Sequence, residues 1–264
     1  MCRAAFAVAA LALFAVPSSA ATRPPVTLEW PTSIAVAQDG SLLVVENGMH
    51  RLVRLDPATG HITQLGGILA KPFAVALSPS KSVYLSDGRT VERLSATWSP
   101  AIVAVANVDI GPIAFARNGD LFYANDTSVF RLTRGKTKPV RIATHLGNPH
   151  GLAVAGGDTL LVSDTDHKRI VRISLKTGSV RTFAHVTSPR GMRVAPDGTV
   201  DVADGGSKHV LRFSASGRSL GPFGPAFGDP YDLALDPNGG LYVIDTSVSG
   251  TISHVAADGS AAAI

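Results

Sequence analysis

The sequence has almost no cysteine. Cys2 is the only one in 264 residues, and it precedes an apolar run over residues 4–16. Met1-Cys2-Arg3 is a short basic start, and Pro17-Ser18-Ser19-Ala20-Ala21 supplies the small residues that a signal peptidase needs. This order predicts a leader over residues 1–21, cut after Ala20 or Ala21, and a mature chain over 22–264 that works in a secreted or periplasmic setting. A chain cut there has no cysteine at all. Disulfides, thiolate catalysis and cysteine-bound metals are thereby excluded, and no cysteine follows the apolar run to carry a lipid. No stretch reaches the ~20 apolar residues of a membrane span. There is also no run of four Lys or Arg, and 24 basic against 20 acidic residues leave a formal charge of only +4. Nucleic acid is therefore not an expected partner. The Gly-x-Ser-x-Gly elbow, the phosphate loop and the His-Glu-x-x-His helix are all missing.

What the sequence does contain is a repeat of about 40 residues, the period of stacked or radial architectures. Six segments align: PTSIAV from Pro31, PFAVAL from Pro72, IGPIAF from Ile110, PHGLAV from Pro149, PRGMRV from Pro189 and PYDLAL from Pro230, at steps of 41, 38, 39, 40 and 41. Each leads into a hairpin turn such as Asp39-Gly40, Asn118-Gly119 or Asp197-Gly198. A second strand follows and ends at Glu46, Asp87, Asn125, Asp164, Asp204 or Asp245. A third strand comes next (RLVRLD, VERLS, VFRLT, RIVRIS, HVLRFS, TISHVA), then a turn and a more variable fourth strand. With no helical period between them, four antiparallel strands per unit predict an all-β fold, a six-bladed β-propeller. The centre of the first strand reads Ala35, Ala76, Ala114, Ala153, Arg193, Ala234. Small side chains there let the innermost strands crowd around the axis. One sheet cannot bury both of its faces alone, so the ring has to close. Residues 26–30 are expected to act as a closing strand, beside residues 251–256 or beside a short strand at the C-terminal end.

Segments such as Pro230-Tyr231-Asp232-Leu233-Ala234-Leu235-Asp236-Pro237-Asn238-Gly239-Gly240 and Arg54-Leu55-Asp56-Pro57-Ala58-Thr59-Gly60 resemble NHL repeats and their relatives. Those relatives are the gluconolactonase/senescence-marker family, the virginiamycin B lyase-like proteins and the peptidyl-hydroxyglycine amidating lyases. The resemblance spans residues 26–264. Trp-Asp signatures of the other large propeller family are missing, since neither Trp30 nor Trp98 precedes an aspartate.

Recurrence separates roles: what every blade repeats serves the blade, and what breaks the pattern on one face is a candidate for recognition. The recurring strand-end ring from Glu46 to Asp245 reads as turn caps accepting N–H groups two residues on. Glu46 stands out by its length. The gluconolactonase resemblance implies a divalent cation, such as calcium, held by an early glutamate with later Asn and Asp, and Glu46 is the residue comparable with it. The position after the inner-strand proline varies: Thr32, Phe73, Gly111, His150, Arg190, Tyr231. These residues, with Arg193 and Asp232, are expected to form a binding face at the channel mouth. His150 in Asn148-Pro149-His150-Gly151 resembles the zinc-binding Pro-His-Gly of the amidating lyases, yet no second histidine stands at the other mouth positions. It is the candidate general acid or base. Arg193 replaces an alanine and needs a partner, either Asp232 or Asp201, or else an anion on the axis. Two functions follow: a secreted binding or scaffold propeller for a protein, peptide, glycan or small molecule, or a divalent-metal-dependent lactonase-type hydrolase or lyase with its site in the central channel.

Overall fold

The computed structural model describes residues 24–247 and 250–264; the expected leader lies outside them. There are six four-stranded antiparallel sheets, each built from consecutive strands in chain order. The innermost strands are Pro31–Val36, Pro72–Leu77, Ile113–Phe115, Pro149–Ala155, Pro189–Val194 and Pro230–Leu235. Each lies against the inner strand of the next blade, and the sixth lies against the first, so the ring is closed. The expected six-bladed propeller is what the chain forms.

Packing follows from the pattern of apolar residues. A second strand such as Leu42–Glu46 is buried along its whole length, because it has a neighbouring blade on each side. The buried apolar residues fall into six clusters, one per blade interface. The third blade differs in its inner strand, which starts at Ile113 and not at the expected Ile110. Pro112 lacks the N–H that a ladder needs, although Gly111 N–H still donates to Ala124 O (2.8 Å).

The other five inner strands share a feature that positions the functional face. In each, the register against the second strand slips just after the first proline, at Pro31/Ser33, Pro72/Ala74, Pro149/Leu152, Pro189/Met192 and Pro230/Leu233. A bulge of this kind re-aims one side chain. Here the re-aimed residues are Thr32, Phe73, His150, Arg190 and Tyr231.

Ring closure follows the second of the two expected arrangements, though not as a strand. Ala261–Ala263 pairs with Thr251–Val255, so residues 26–30 do not lie beside the third strand and instead meet the C-terminal end. That segment is therefore a clamp and not a strand. Val26 N–H donates to Ile264 O (2.6 Å) and Leu28 N–H to Gly250 O (2.8 Å), on the blade-six side. On the blade-one side, Gly48 N–H donates to Glu29 O (3.0 Å) and Asn47 N–H to Trp30 O (3.1 Å). Leu28 is 1% exposed and packs with Ile34, Ile244 and Ile252, wedging the seam shut.

Leu28→Ala is expected to cost about 2–4 kcal/mol of stability, the range for a large-to-small change at a buried site. Urea denaturation reads it, and a loss below about 1 kcal/mol would show that the clamp does not hold the ring.

Candidate functional site

The bulged residues line one mouth of the ring and form a continuous row. The Phe73 and His150 rings meet edge to face at 6.0 Å between centroids, and His150 and Tyr231 meet at 5.8 Å. The Arg190 guanidinium lies 4.9 Å from the centre of the Tyr231 ring and forms an ion pair with Asp229 at 2.8 Å. Two glycines make the row possible. A side chain at Gly151 would meet Arg190 O at 2.3 Å, and one at Gly205 would meet the Arg190 guanidinium at 2.8 Å. The small Gly111 and the inward-turned Thr32, whose hydroxyl donates to Phe73 O (2.7 Å), leave the remaining mouth positions open or silent.

Burial sets the electrostatics. It holds the His150 imidazole below its ordinary range, with Arg190 adding to the effect and Asp166 opposing it. His150 is consequently a neutral base at pH 7, and its Nδ1 is buried without a hydrogen-bond partner. Burial likewise pushes the Tyr231 hydroxyl up to about 12, so it stays a neutral donor. Beside the row lies a cavity of about 450 Å³ that Phe73 and His150 share with Asn47, Asn125, Asn148 and Arg89. Aromatic faces next to amide and guanidinium groups can hold a polar ring or a peptide segment.

Arg193 and Asp232 lie beneath the mouth, not on it. Arg193 Nη2 donates to Ile34 O (3.1 Å) and to Asp232 Oδ2 (3.2 Å), and Nη1 donates to Met192 O (2.7 Å). Asp232, 6% exposed, also accepts from Ile34 N–H (3.1 Å). One guanidinium therefore joins blades five, six and one, and Asp232 is its partner. Asp201, the other expected partner, is taken by Arg212 (2.7 Å). A space of about 20 Å³, room for roughly one water, lies beneath the mouth between Phe73, His150, Arg193 and Asp232.

The strand-end carboxylates are caps of a different kind from the one expected. Glu46 Oε1 accepts from Glu29 N–H (2.7 Å), Asp164 from Gly147 N–H (2.6 Å) and Asp245 from Gly228 (2.7 Å) and Asp229 N–H (2.8 Å). Asp87 and Asp204 do the same for the backbone before their own blades. They fasten the entering loop, 16 or 17 residues upstream. Asn125 instead caps Thr127 two residues on, as expected, and Asp245 caps Ser247 in addition. Glu46 is 1% exposed, and its second oxygen accepts from Arg51 Nε (2.6 Å). Both of its oxygens are thus committed. The described residues bring no three carboxylate, histidine or cysteine groups together as metal ligands. The donor set does not fit the cation that the gluconolactonase resemblance implies.

Asp229 was not among the expected site residues, although its position just before Pro230 places it at the mouth. The bulges carried no signal in the repeat itself.

Fold and mouth together define a closed six-bladed propeller with an aromatic row at one mouth of the ring. No family model and no curated protein matches the sequence. Among solved structures, the chain is similar to a gluconolactonase from Xanthomonas campestris (21% identity, 84% of each chain covered, TM-score 0.75). It is also similar to virginiamycin B lyase from Staphylococcus aureus (16% identity, 89% of this chain and 83% of that one, TM-score 0.70). At these identities the likeness is one of fold.

Two outcomes test the site. Arg193→Ala is expected to lose about 1–3 kcal/mol in chemical denaturation, because it leaves Asp232 buried and Ile34 O unpaired; unchanged stability would remove its role as a pin. For His150, the folded protein resists a proton that the unfolded chain accepts near pH 6.5. Stability is therefore lost as pH falls below about 6.5. The stability of the wild type relative to His150→Gln should decline from pH ~8 to pH ~5. A constant difference would show an imidazole that titrates normally.

Proposed function

We propose that this chain is a ligand-binding propeller that acts outside the cytoplasm and recognises a glycan or peptide at the mouth. One observation carries the reading: Phe73, His150 and Tyr231 form an aromatic row closed by Arg190, above a space of only about 20 Å³. A ligand on the row lies across the face. Stacking on the rings supplies apolar contact, while Arg190 and the amides of Asn47, Asn125 and Asn148 supply directional bonds. The expected leader is what supports a secreted or periplasmic location.

A second reading keeps the enzyme classes of the structural neighbours. A neutral, dry His150 is suited to take a proton from a substrate, and among those neighbours a histidine-to-alanine form of virginiamycin B lyase is described as catalytically inactive. On this chain such a reaction would run on His150, since the donor set does not fit a divalent cation.

Glycan and peptide arrays probed with wild type, Phe73→Ala and Arg190→Ala test the first reading. A ligand held at the mouth should bind the variants at least about tenfold more weakly. Hits that keep full affinity for both variants would move the site elsewhere. Hydrolysis of δ-gluconolactone that depends on His150 would favour the enzyme reading. A rise in Tm with millimolar Ca²⁺ would restore the cation that the geometry disfavours.

A further inference from the structure

The face opposite the mouth carries a second irregularity, confined to blade two. The hairpin between first and second strands has a left-handed glycine in five blades: Gly40, Gly119, Gly157, Gly198 and Gly239. In blade two that residue is Lys81, at φ 65°. The turn between third and fourth strands has a left-handed glycine in the same five blades: Gly60, Gly135, Gly178, Gly217 and Gly259. In blade two it is Trp98, at φ 62°. Residues with a Cβ are strained there, and such strain persists where the surroundings enforce it and the site uses it. Serines enforce it here. Ser78 O accepts from Lys81 N–H (2.8 Å) and Ser95 O from Trp98 N–H (3.0 Å). Their hydroxyls accept from Ser82 N–H (3.1 Å) and Ser99 N–H (3.0 Å).

Both exceptional side chains line one cavity, of about 520 Å³, between blades one and two. Arg54 lines it too, with Asp39. A basic side chain recurs at this place on every third strand: Arg54, Arg93, Arg131, Arg172, Arg212 and His254. In blades three, five and six it meets a buried carboxylate: Asp120, Asp201 (2.7 Å) and Asp236 (2.6 Å). Arg54 instead has an exposed Asp39 at 3.5 Å and the Trp98 ring at 5.5 Å, and its Nε is buried without a partner. Leu43, Leu77 and Leu94 form the apolar wall.

We propose that this cavity binds a small organic carboxylate. Arg54, with an unpartnered Nε and only the exposed Asp39 on Nη1, offers a planar fork that matches a carboxylate, and Lys81 adds a point charge in the same cavity. Two cations against one anion leave a positive excess. Trp98 and the leucines take up an apolar or aromatic body. The site lies on the face opposite the mouth and is independent of what the mouth binds.

The test is calorimetric titration of the full chain with phenylacetate and with its neutral counterpart phenylacetamide. Phenylacetate should bind one per chain, and the amide at least about tenfold more weakly. Arg54→Gln should lose at least about tenfold in phenylacetate affinity. Lys81→Gly restores the turn residue of the other blades, so it should hold or raise Tm while weakening phenylacetate several-fold; this variant folds whatever the fate of Arg54→Gln. His150→Gln should bind phenylacetate as the wild type does. No saturable binding below about 10 mM, equal affinity for acid and amide, or unaltered affinity in Lys81→Gly and Arg54→Gln would overturn the proposal. Loss of binding in His150→Gln would overturn it too, by placing phenylacetate at the mouth.

Discussion

Every blade begins with a strand that is the inner edge of its own sheet, and six such edges meet around one axis. Their backbone groups face other edges at a depth that water hardly reaches, and each must find a partner. Side chains of the adjacent blade provide them. Ser33 Oγ accepts from Val75 N–H (3.2 Å), Ser86 Oγ donates to Gly111 O (2.7 Å), Thr165 Oγ1 donates to Pro189 O (2.6 Å) and Asn47 Nδ2 donates to Pro72 O (2.6 Å). At the seam between blades six and one, Asp232 takes the Ile34 N–H and Arg193 takes the Ile34 carbonyl. The toroid is thus held at its centre by polar contacts across five of these interfaces and around it by six apolar clusters.

Satisfying the inner edges has a functional consequence. Arg193 completes the polar bonding at the seam and borders the space of about 20 Å³ beneath the mouth. Above it, the post-proline bulges bring the half-buried Phe73, His150 and Tyr231 together at the mouth. The propeller is shared with a lactonase and a lyase, but a fold hosts many chemistries and the groups at its mouth decide among them. Here those groups are aromatic rings, one neutral imidazole and one stacked guanidinium.

Much of this was legible in the residues. The 40-residue period, the turn glycines and the alanines of the inner strands announce six four-stranded units and their order around an axis. The mouth positions could be read off the same alignment, because a position that varies while its neighbours recur is free of the blade's own needs. Ring closure was legible only in part. Residues 26–30 do bridge the two ends, and a short C-terminal strand was one of the two expected neighbours, but the residues alone did not decide between it and the third strand. Glu46 invited a metal because its length set it apart from the aspartates, whereas that length merely lets it reach Glu29 N–H and Arg51 together.

By itself the sequence determined the number of sheets, their strand order, the absence of cysteine beyond residue 2 and the residues exempt from the repeat, since these depend on local pattern and on composition. Only the tertiary structure decided what the exempt residues do. Arg193 is a pin because Ile34 and Asp232, from two other blades, come within bonding distance, and Lys81 and Trp98 share a cavity with Arg54 because blades one and two pack side by side. Contacts between residues 39 to 198 positions apart are made by closing the ring, and no periodicity along the chain encodes which side chains then meet.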